Sequence, residues 1–68
     1  MPTTYVTTEI ICGRRGWYSL RAYLGKEEYK LYKDLTEDIE KLKALSIRIN
    51  GGKVSVLHID DIIEDFLD

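Results

Sequence analysis

The sequence predicts an α+β fold in which two helices pack on an antiparallel sheet, and three observations lead to this prediction. The first half of the chain is rich in β-branched and aromatic residues with alternating character, which is typical of strands. The end of the chain carries apolar residues at helical spacing. A chain of 68 residues has room for one core, so both halves must share it. The predicted order is β-β-β-α-β-β-α, in one domain that spans residues 1–68.

Two strands joined by a short turn open this predicted order. Thr3–Cys12 alternates β-branched residues between two faces. Gly13–Gly16 has a glycine at each end, which permits the backbone angles of a tight turn. Trp17–Leu24 then returns as the second strand, and so short a connection predicts antiparallel pairing. Its core face is formed by Tyr18, Leu20, Ala22 and Leu24.

The stretch Lys26–Asp34 fits two structures. As a helix it would extend the following helical segment back to Lys26, with Leu31 and Leu35 four residues apart. As a strand it would complete a three-stranded meander after a loop at Gly25. The two tyrosines of the stretch favour the strand. Thr36 resembles a helix N-cap, and that start signal has no purpose in the middle of a helix.

The segment Glu37–Leu45 is predicted to be the first helix under either interpretation. Ile39, Leu42 and Leu45 form its inner stripe, and the acidic residues in its first turn complement the helix dipole.

The segment Ser46–Leu67 predicts a hairpin followed by a terminal helix. Ile47 and Ile49 alternate with polar residues, and Asn50-Gly51-Gly52 supplies residues that tolerate positive φ in a hairpin turn. Val54 and Val56 resume the alternation. Asp60 or Asp61 can then cap the helix. Its apolar face consists of Ile59, Ile62, Ile63, Phe66 and Leu67, and its acidic face of Asp61, Glu64, Asp65 and Asp68.

Composition narrows the possible classes of protein. Apolar residues at 44% and charged residues at 32% are typical of an ordered domain. No apolar run is long enough to span a membrane, so we expect a cytoplasmic protein without a membrane partner. The single cysteine, Cys12, cannot form an internal disulfide and is expected to be a small buried residue.

The sequence offers few groups for catalysis, so we expect neither an enzyme nor a bound cofactor or metal. His58 is the only histidine and is expected to be a partly buried, hydrogen-bonded residue. It could share a metal with Asp60 and Asp61, but helix capping already explains those two residues. Asn50-Gly51-Gly52 lacks the lysine and hydroxyl residue of a phosphate-binding loop.

The first turn and the strand after it form the candidate binding site. We name it the Arg14–Tyr23 surface, and its members are Arg14, Arg15, Trp17, Arg21 and Tyr23. Arginine and aromatic side chains are enriched in binding hot spots, because they combine contact area with directional hydrogen bonds. The same residue types can also clamp a phosphate backbone and stack a base. A third interpretation is that Trp17 packs under a helix and the arginines are simply solvated.

These observations favour a small non-enzymatic protein-interaction module, with a protein partner or self-association. Its size is that of an accessory or regulatory protein of the phage or plasmid type. The alternative is a nucleic-acid-binding module that uses the Arg14–Tyr23 surface. The charge is divided unevenly, at +3 over residues 1–33 and −5 over residues 34–68. The acidic balance of the whole chain, at −2, opposes binding to phosphates.

Overall fold

A three-stranded antiparallel sheet and two helices form the structure, a computed structural model that describes residues 5–67. The α+β fold is thereby confirmed, with the order β-β-β-α-α. Thr3 and Thr4 of the predicted first strand lie outside the described residues. The elements are β1 Val6–Cys12, β2 Tyr18–Leu24, β3 Glu27–Thr36, α1 Ile39–Gly51 and α2 Ile59–Leu67.

The core lies between one face of the sheet and the two helices. Strand β2 is central, with β1 on one side and β3 on the other. The predicted core face of β2 is correct, because Leu20 and Ala22 are fully buried while Tyr18 and Leu24 are half-buried against the same core. The buried apolar residues are Val6, Leu20, Ala22, Leu35, Leu42, Leu45, Ile49, Ile59 and Ile63.

The predicted hairpin after Ser46 is wrong, because the first helix continues through this segment as far as Gly51. Ser46 and Ile49 are buried on the inner side of α1, whereas Ile47 is 73% exposed. Leu42, Leu45 and Ile49 follow each other at spacings of three and four, which keeps all three on one helical face. Val54 and Val56 form no strand and instead lie in the connection to α2.

Both ends of α1 are set by local chemistry. The N-cap is Asp38, not the predicted Thr36, because the Asp38 carboxylate accepts hydrogen bonds from the Glu40 and Lys41 N–H groups. Thr36 ends β3, and its hydroxyl accepts a hydrogen bond from the Asp38 N–H. At the other end, a Cβ on Gly52 would lie 2.7 Å from the Arg48 carbonyl oxygen. Only glycine permits this close approach, so the residues expected to turn a hairpin end a helix instead.

The strand interpretation of Lys26–Asp34 is confirmed, since these residues lie in or directly before β3. The pairing of β3 with β2 is interrupted twice, between Ala22 and Tyr23 and between Tyr18 and Leu20 of β2. At the second interruption Asp34 adopts a left-handed φ of 50°. Its N–H donates to the Ser19 hydroxyl oxygen at 2.9 Å, which fixes the irregular segment against the central strand.

Polar contacts hold helix α1 along the outer edge of β1. The Asn50 side-chain oxygen accepts from the Thr8 N–H at 2.8 Å, and its amide nitrogen donates to the Thr8 carbonyl oxygen at 3.4 Å. The Thr8 and Ser46 hydroxyls share a hydrogen bond of 2.7 Å. The connection after α1 extends this edge, because the Val6 N–H donates to the Val54 carbonyl at 2.8 Å. Helix and connection thus satisfy backbone groups that an edge strand would leave to water.

Helix α2 is anchored to β3 by Asp60. Its Oδ1 accepts from the Tyr32 hydroxyl at 2.6 Å and from Lys30 Nζ at 3.2 Å. Asp60 therefore ties the helix to the sheet. The prediction that Asp60 or Asp61 caps this helix is wrong, because α2 begins at Ile59 and both residues lie inside its first turn. These hydrogen bonds, from Tyr32 first and then from Lys30, lower the pKa of Asp60 from its ordinary value of 3.8. Burial of the phenol, together with this carboxylate, raises the pKa of Tyr32.

The apolar stripe of α2 is confirmed at its centre and not at its end. Ile59 and Ile63 are buried, and Ile62 and Phe66 are half-buried against the core. The helical spacing predicts that Leu67 lies on the apolar face, but its side chain is mostly exposed and lies outside the core. The first-turn residues Asp60 and Asp61 also complement the positive end of the helix dipole.

We expect the Asp60 contacts to make stability depend on acid pH. Because the folded protein lowers the pKa of Asp60, the group stabilises the fold at pH values above its ordinary 3.8. This stabilisation is lost as the pH falls through the lowered folded value. Asp60→Asn should therefore flatten the loss of stability that sets in as the pH falls below the ordinary carboxyl value of 3.8, measured by urea unfolding. Asp61→Asn is the control, and an equally flattened profile for that variant would contradict the assignment.

Candidate interaction surface

The sheet face opposite the helices is the part of the fold that positions the candidate site, and we name it the helix-free face. Strand alternation sends side chains to this face from residues that are out of phase with the core. The pairing places Glu9 opposite Arg21, Ile11 opposite Ser19, and Arg21 opposite Leu31. Its members are Thr7, Glu9, Ile11, Ser19, Arg21, Tyr23, Glu28 and Leu31.

A group of paired charges occupies the middle of the helix-free face. Arg21 Nε lies 3.0 Å from Glu28 Oε1, and Arg21 Nη1 lies 3.8 Å from Glu9 Oε1. The Tyr23 hydroxyl donates to the same Glu9 oxygen at 3.1 Å. Arg21 Nε is shielded from solvent and its contact with Glu28 lacks hydrogen-bond geometry, so charge alone holds that pair. The side-chain contact with Tyr23, followed by the charge of Glu28, raises the pKa of Arg21, which stays protonated.

The turn between β1 and β2 carries the rest of the Arg14–Tyr23 surface. The Gly13 N–H donates to the Trp17 carbonyl at 2.8 Å, and the Trp17 N–H donates to the Arg14 carbonyl at 3.0 Å. A Cβ on Gly13 would lie 2.8 Å from the Trp17 carbonyl oxygen, so a glycine is needed there. Arg15 adopts a left-handed φ of 55° at the tip. Both arginines are exposed, and Trp17 is 38% exposed.

A pocket of about 450 Å³ opens where this turn meets the helix-free face. Its apolar lining comes from Ile11 and Leu31, and its cationic lining from Arg14 and Lys33. Ser19 is more than nine-tenths buried in the same place, and its oxygen accepts the Asp34 N–H. The lining residues are Ile11, Gly13, Arg14, Ser19, Leu31, Lys33 and Asp34.

The five sequence-predicted site residues fall into three groups. Arg21 and Tyr23 meet in the central charged group, and Arg14 lines the pocket. Arg15 and Trp17 lie on the adjoining turn and line no part of the pocket.

Sequence reasoning missed Ser19, Leu31 and Lys33 as pocket residues. Alternation along β2 places Ser19 on the same face as Arg21, so the sequence does contain a signal for Ser19. Leu31 and Lys33 depend on the register of β3, and the two irregularities in its pairing have no clear signature in the sequence.

Two other sequence expectations are altered by the structure. Cys12, expected to be buried, is exposed at the end of β1. His58, expected to be partly buried, is also exposed and lies just before α2. The backbone N–H of His58 donates to the Ser55 carbonyl oxygen at 3.0 Å. Of the predicted acidic face, Asp61, Glu64 and Asp65 are exposed, and Asp68 lies outside the described residues.

Within residues 5–67, no group of three or more histidine, cysteine or acidic side chains is placed to hold a metal ion. Over the same residues, neither helix has the length and apolar character needed to cross a bilayer. The chain matches no protein family, no curated protein and no solved structure.

Proposed function

We propose that this chain is a small, non-enzymatic, cytoplasmic protein-interaction module that binds a protein partner with the Arg14–Tyr23 surface. The partner presents acidic groups to Arg14 and Arg15 and apolar groups to Trp17. This proposal is carried by the Arg14–Tyr23 surface, where aromatic and cationic side chains lie on the central strand and on the turn that precedes it.

The aromatic residues of this surface are the first support. Trp17 is exposed on the turn, and Tyr23 is half-buried in the sheet. Neither residue belongs to the core between the helices and the opposite face of the sheet, nor to the half-buried residues packed against that core. Tyrosine, tryptophan and arginine are enriched among the residues that dominate the binding energy of interfaces, because they combine large contact area with directional hydrogen bonds. A rigid sheet also reduces the entropy lost when a partner binds.

The charge pattern favours a protein over a nucleic acid. A surface that binds a nucleic acid needs unpaired cations along the path of the backbone, because its affinity comes from neutralising phosphates. Arg21, in the middle of the helix-free face, is already paired with Glu9 and Glu28. Those two carboxylates would repel a phosphate backbone that crossed the sheet. A surface of mixed sign suits a protein partner, since complementary charges fix its register.

Capture from a native lysate, compared across variants, tests this proposal. We expect a protein bound by the wild-type chain to be lost with Trp17→Ala and with the charge reversal of Arg14 and Arg15 to Glu. The matched control is Ile47→Ala, which truncates a large residue that is exposed on α1, away from the helix-free face. Circular dichroism on each variant establishes that the fold is retained.

Two outcomes would count against the proposal. A captured protein that is retained equally by every variant does not bind through this surface. Retention of the wild-type chain on heparin at low salt, lost when Arg14 and Arg15 are changed to Ala, would favour the nucleic-acid alternative.

A further inference from the structure

We propose that the pocket between the first turn and β3 binds the C-terminal residue of a protein partner, with an apolar side chain and a free α-carboxylate. This inference rests on the proposed function, because it assigns one part of the partner to one part of the same surface. It is carried by the apolar lining, the two cations and the buried hydroxyl that meet in the pocket.

The shape of the pocket suits one residue and not an extended surface. Its volume of about 450 Å³ falls in the lower part of the range for ligand pockets, which is about 300–1,000 Å³. Ile11 and Leu31 come from the two outer strands, with Ile11 opposite Ser19 of the central strand and Leu31 opposite Arg21, the next residue of β2 on the same face. An aliphatic side chain placed between them would be removed from water on both sides.

The charges match the end of a peptide. Arg14 and Lys33 supply two cations for a carboxylate. Each would attract its charge and also donate a hydrogen bond to it. Asp34 is the acidic group in the lining, and it would accept the last amide N–H of the peptide. A simple anion would gain from the two cations but would be opposed by Asp34. A peptide end uses all three groups.

Ser19 supplies a further donor at the base of the pocket. It is more than nine-tenths buried, and its oxygen accepts a hydrogen bond from the Asp34 N–H. That contact leaves the hydroxyl proton free to donate, because a hydroxyl is both donor and acceptor. A carboxylate oxygen in the pocket would accept a hydrogen bond from this hydroxyl. The buried hydroxyl would then be both donor and acceptor in the complex.

Titration with small probes tests the pocket without the partner. N-acetyl-leucine carries the apolar side chain, the amide N–H and the carboxylate, whereas N-acetyl-leucine amide has a neutral amide in place of the carboxylate. We expect N-acetyl-leucine to shift the backbone amide signals of Ser19, Leu31 and Lys33 with an affinity of about 1 mM. Arg14→Gln and Lys33→Gln should each weaken binding by about fivefold. Lys43→Gln removes the same charge at an exposed position on α1, outside both the pocket and the Arg14–Tyr23 surface, and should leave binding unchanged.

The outcomes separate this inference from the proposed function. Equal shifts from the amide probe, or no shifts at the pocket with N-acetyl-leucine, would overturn the carboxylate site and leave the capture result standing. Tighter binding of free leucine would assign the pocket to an amino acid, and tighter binding of inorganic phosphate would assign it to a simple anion. Either result would overturn the assignment to a peptide end.

Discussion

Leu42→Ala is expected to lower the melting temperature of the protein strongly. Leu42 is fully buried between α1 and the sheet, and such a truncation costs about 2–5 kcal/mol through lost burial and the remaining cavity. At about 0.05–0.15 kcal/mol per residue, a chain of this size has roughly 3–10 kcal/mol of stability. One substitution therefore removes a large part of the total. Thermal unfolding followed by circular dichroism measures the effect.

The control for Leu42→Ala makes the same chemical change at an exposed position. Leu57 lies in the connection between the helices and is 81% exposed, so Leu57→Ala should change stability by no more than about 0.5 kcal/mol. Similar melting temperatures for the two variants would mean that the core lies elsewhere.

Ile47→Pro is expected to have a comparably large effect for a different reason. Ile47 lies within α1, where proline removes a backbone hydrogen bond and clashes with the preceding turn. Such a change costs about 3 kcal/mol or more, although the Ile47 side chain itself is largely exposed. The buried residues Leu45, Ser46 and Ile49 flank this position, so the break would also displace the core. Urea unfolding gives the free energy directly.

Ile47→Ala separates the helix from the predicted hairpin. In the helix, alanine replaces an exposed β-branched residue with a better helix former, so stability should stay the same or rise slightly. In the hairpin, Ile47 would lie on the apolar face of a strand, and its truncation would be costly. A loss of more than about 2 kcal/mol in Ile47→Ala would contradict the helical assignment.

The region around Asn50 shows why the sequence alone predicts a hairpin where the structure has a helix. Ile47 and Ile49 alternate as in a strand, yet Leu42, Leu45 and Ile49 also follow a helical spacing. Asn-Gly-Gly is equally suited to turning a hairpin and to ending a helix. The choice was made by contacts distant in sequence, because the Asn50 side chain bonds the Thr8 backbone 42 residues away. Tertiary contacts of this kind override a local preference.

The first half of the chain was more predictable, because its signals are local. The alternation in Trp17–Leu24 gave the correct core face, and the tyrosines of Lys26–Asp34 indicated the correct element. The Arg14–Tyr23 surface could be proposed from composition, but the pairing of Arg21 with Glu9 and Glu28 could not. That pairing depends on strand register, and alternation alone does not distinguish registers that differ by two residues, since both keep the same face buried.

The two edges of the sheet differ in how far they are covered, and this difference limits where a further strand can pair. The β1 edge is closed in its first half by Asn50 and the segment at Val54, whereas β3 has no strand beyond it among the described residues. An added strand that pairs along a whole edge would therefore attach beside β3, although the lysines of β3 and the two interruptions in its pairing hinder such addition. Two copies joined through β3 would bury both open edges at once. A third copy would then meet a β1 edge whose first half is already covered by Asn50 and the segment at Val54.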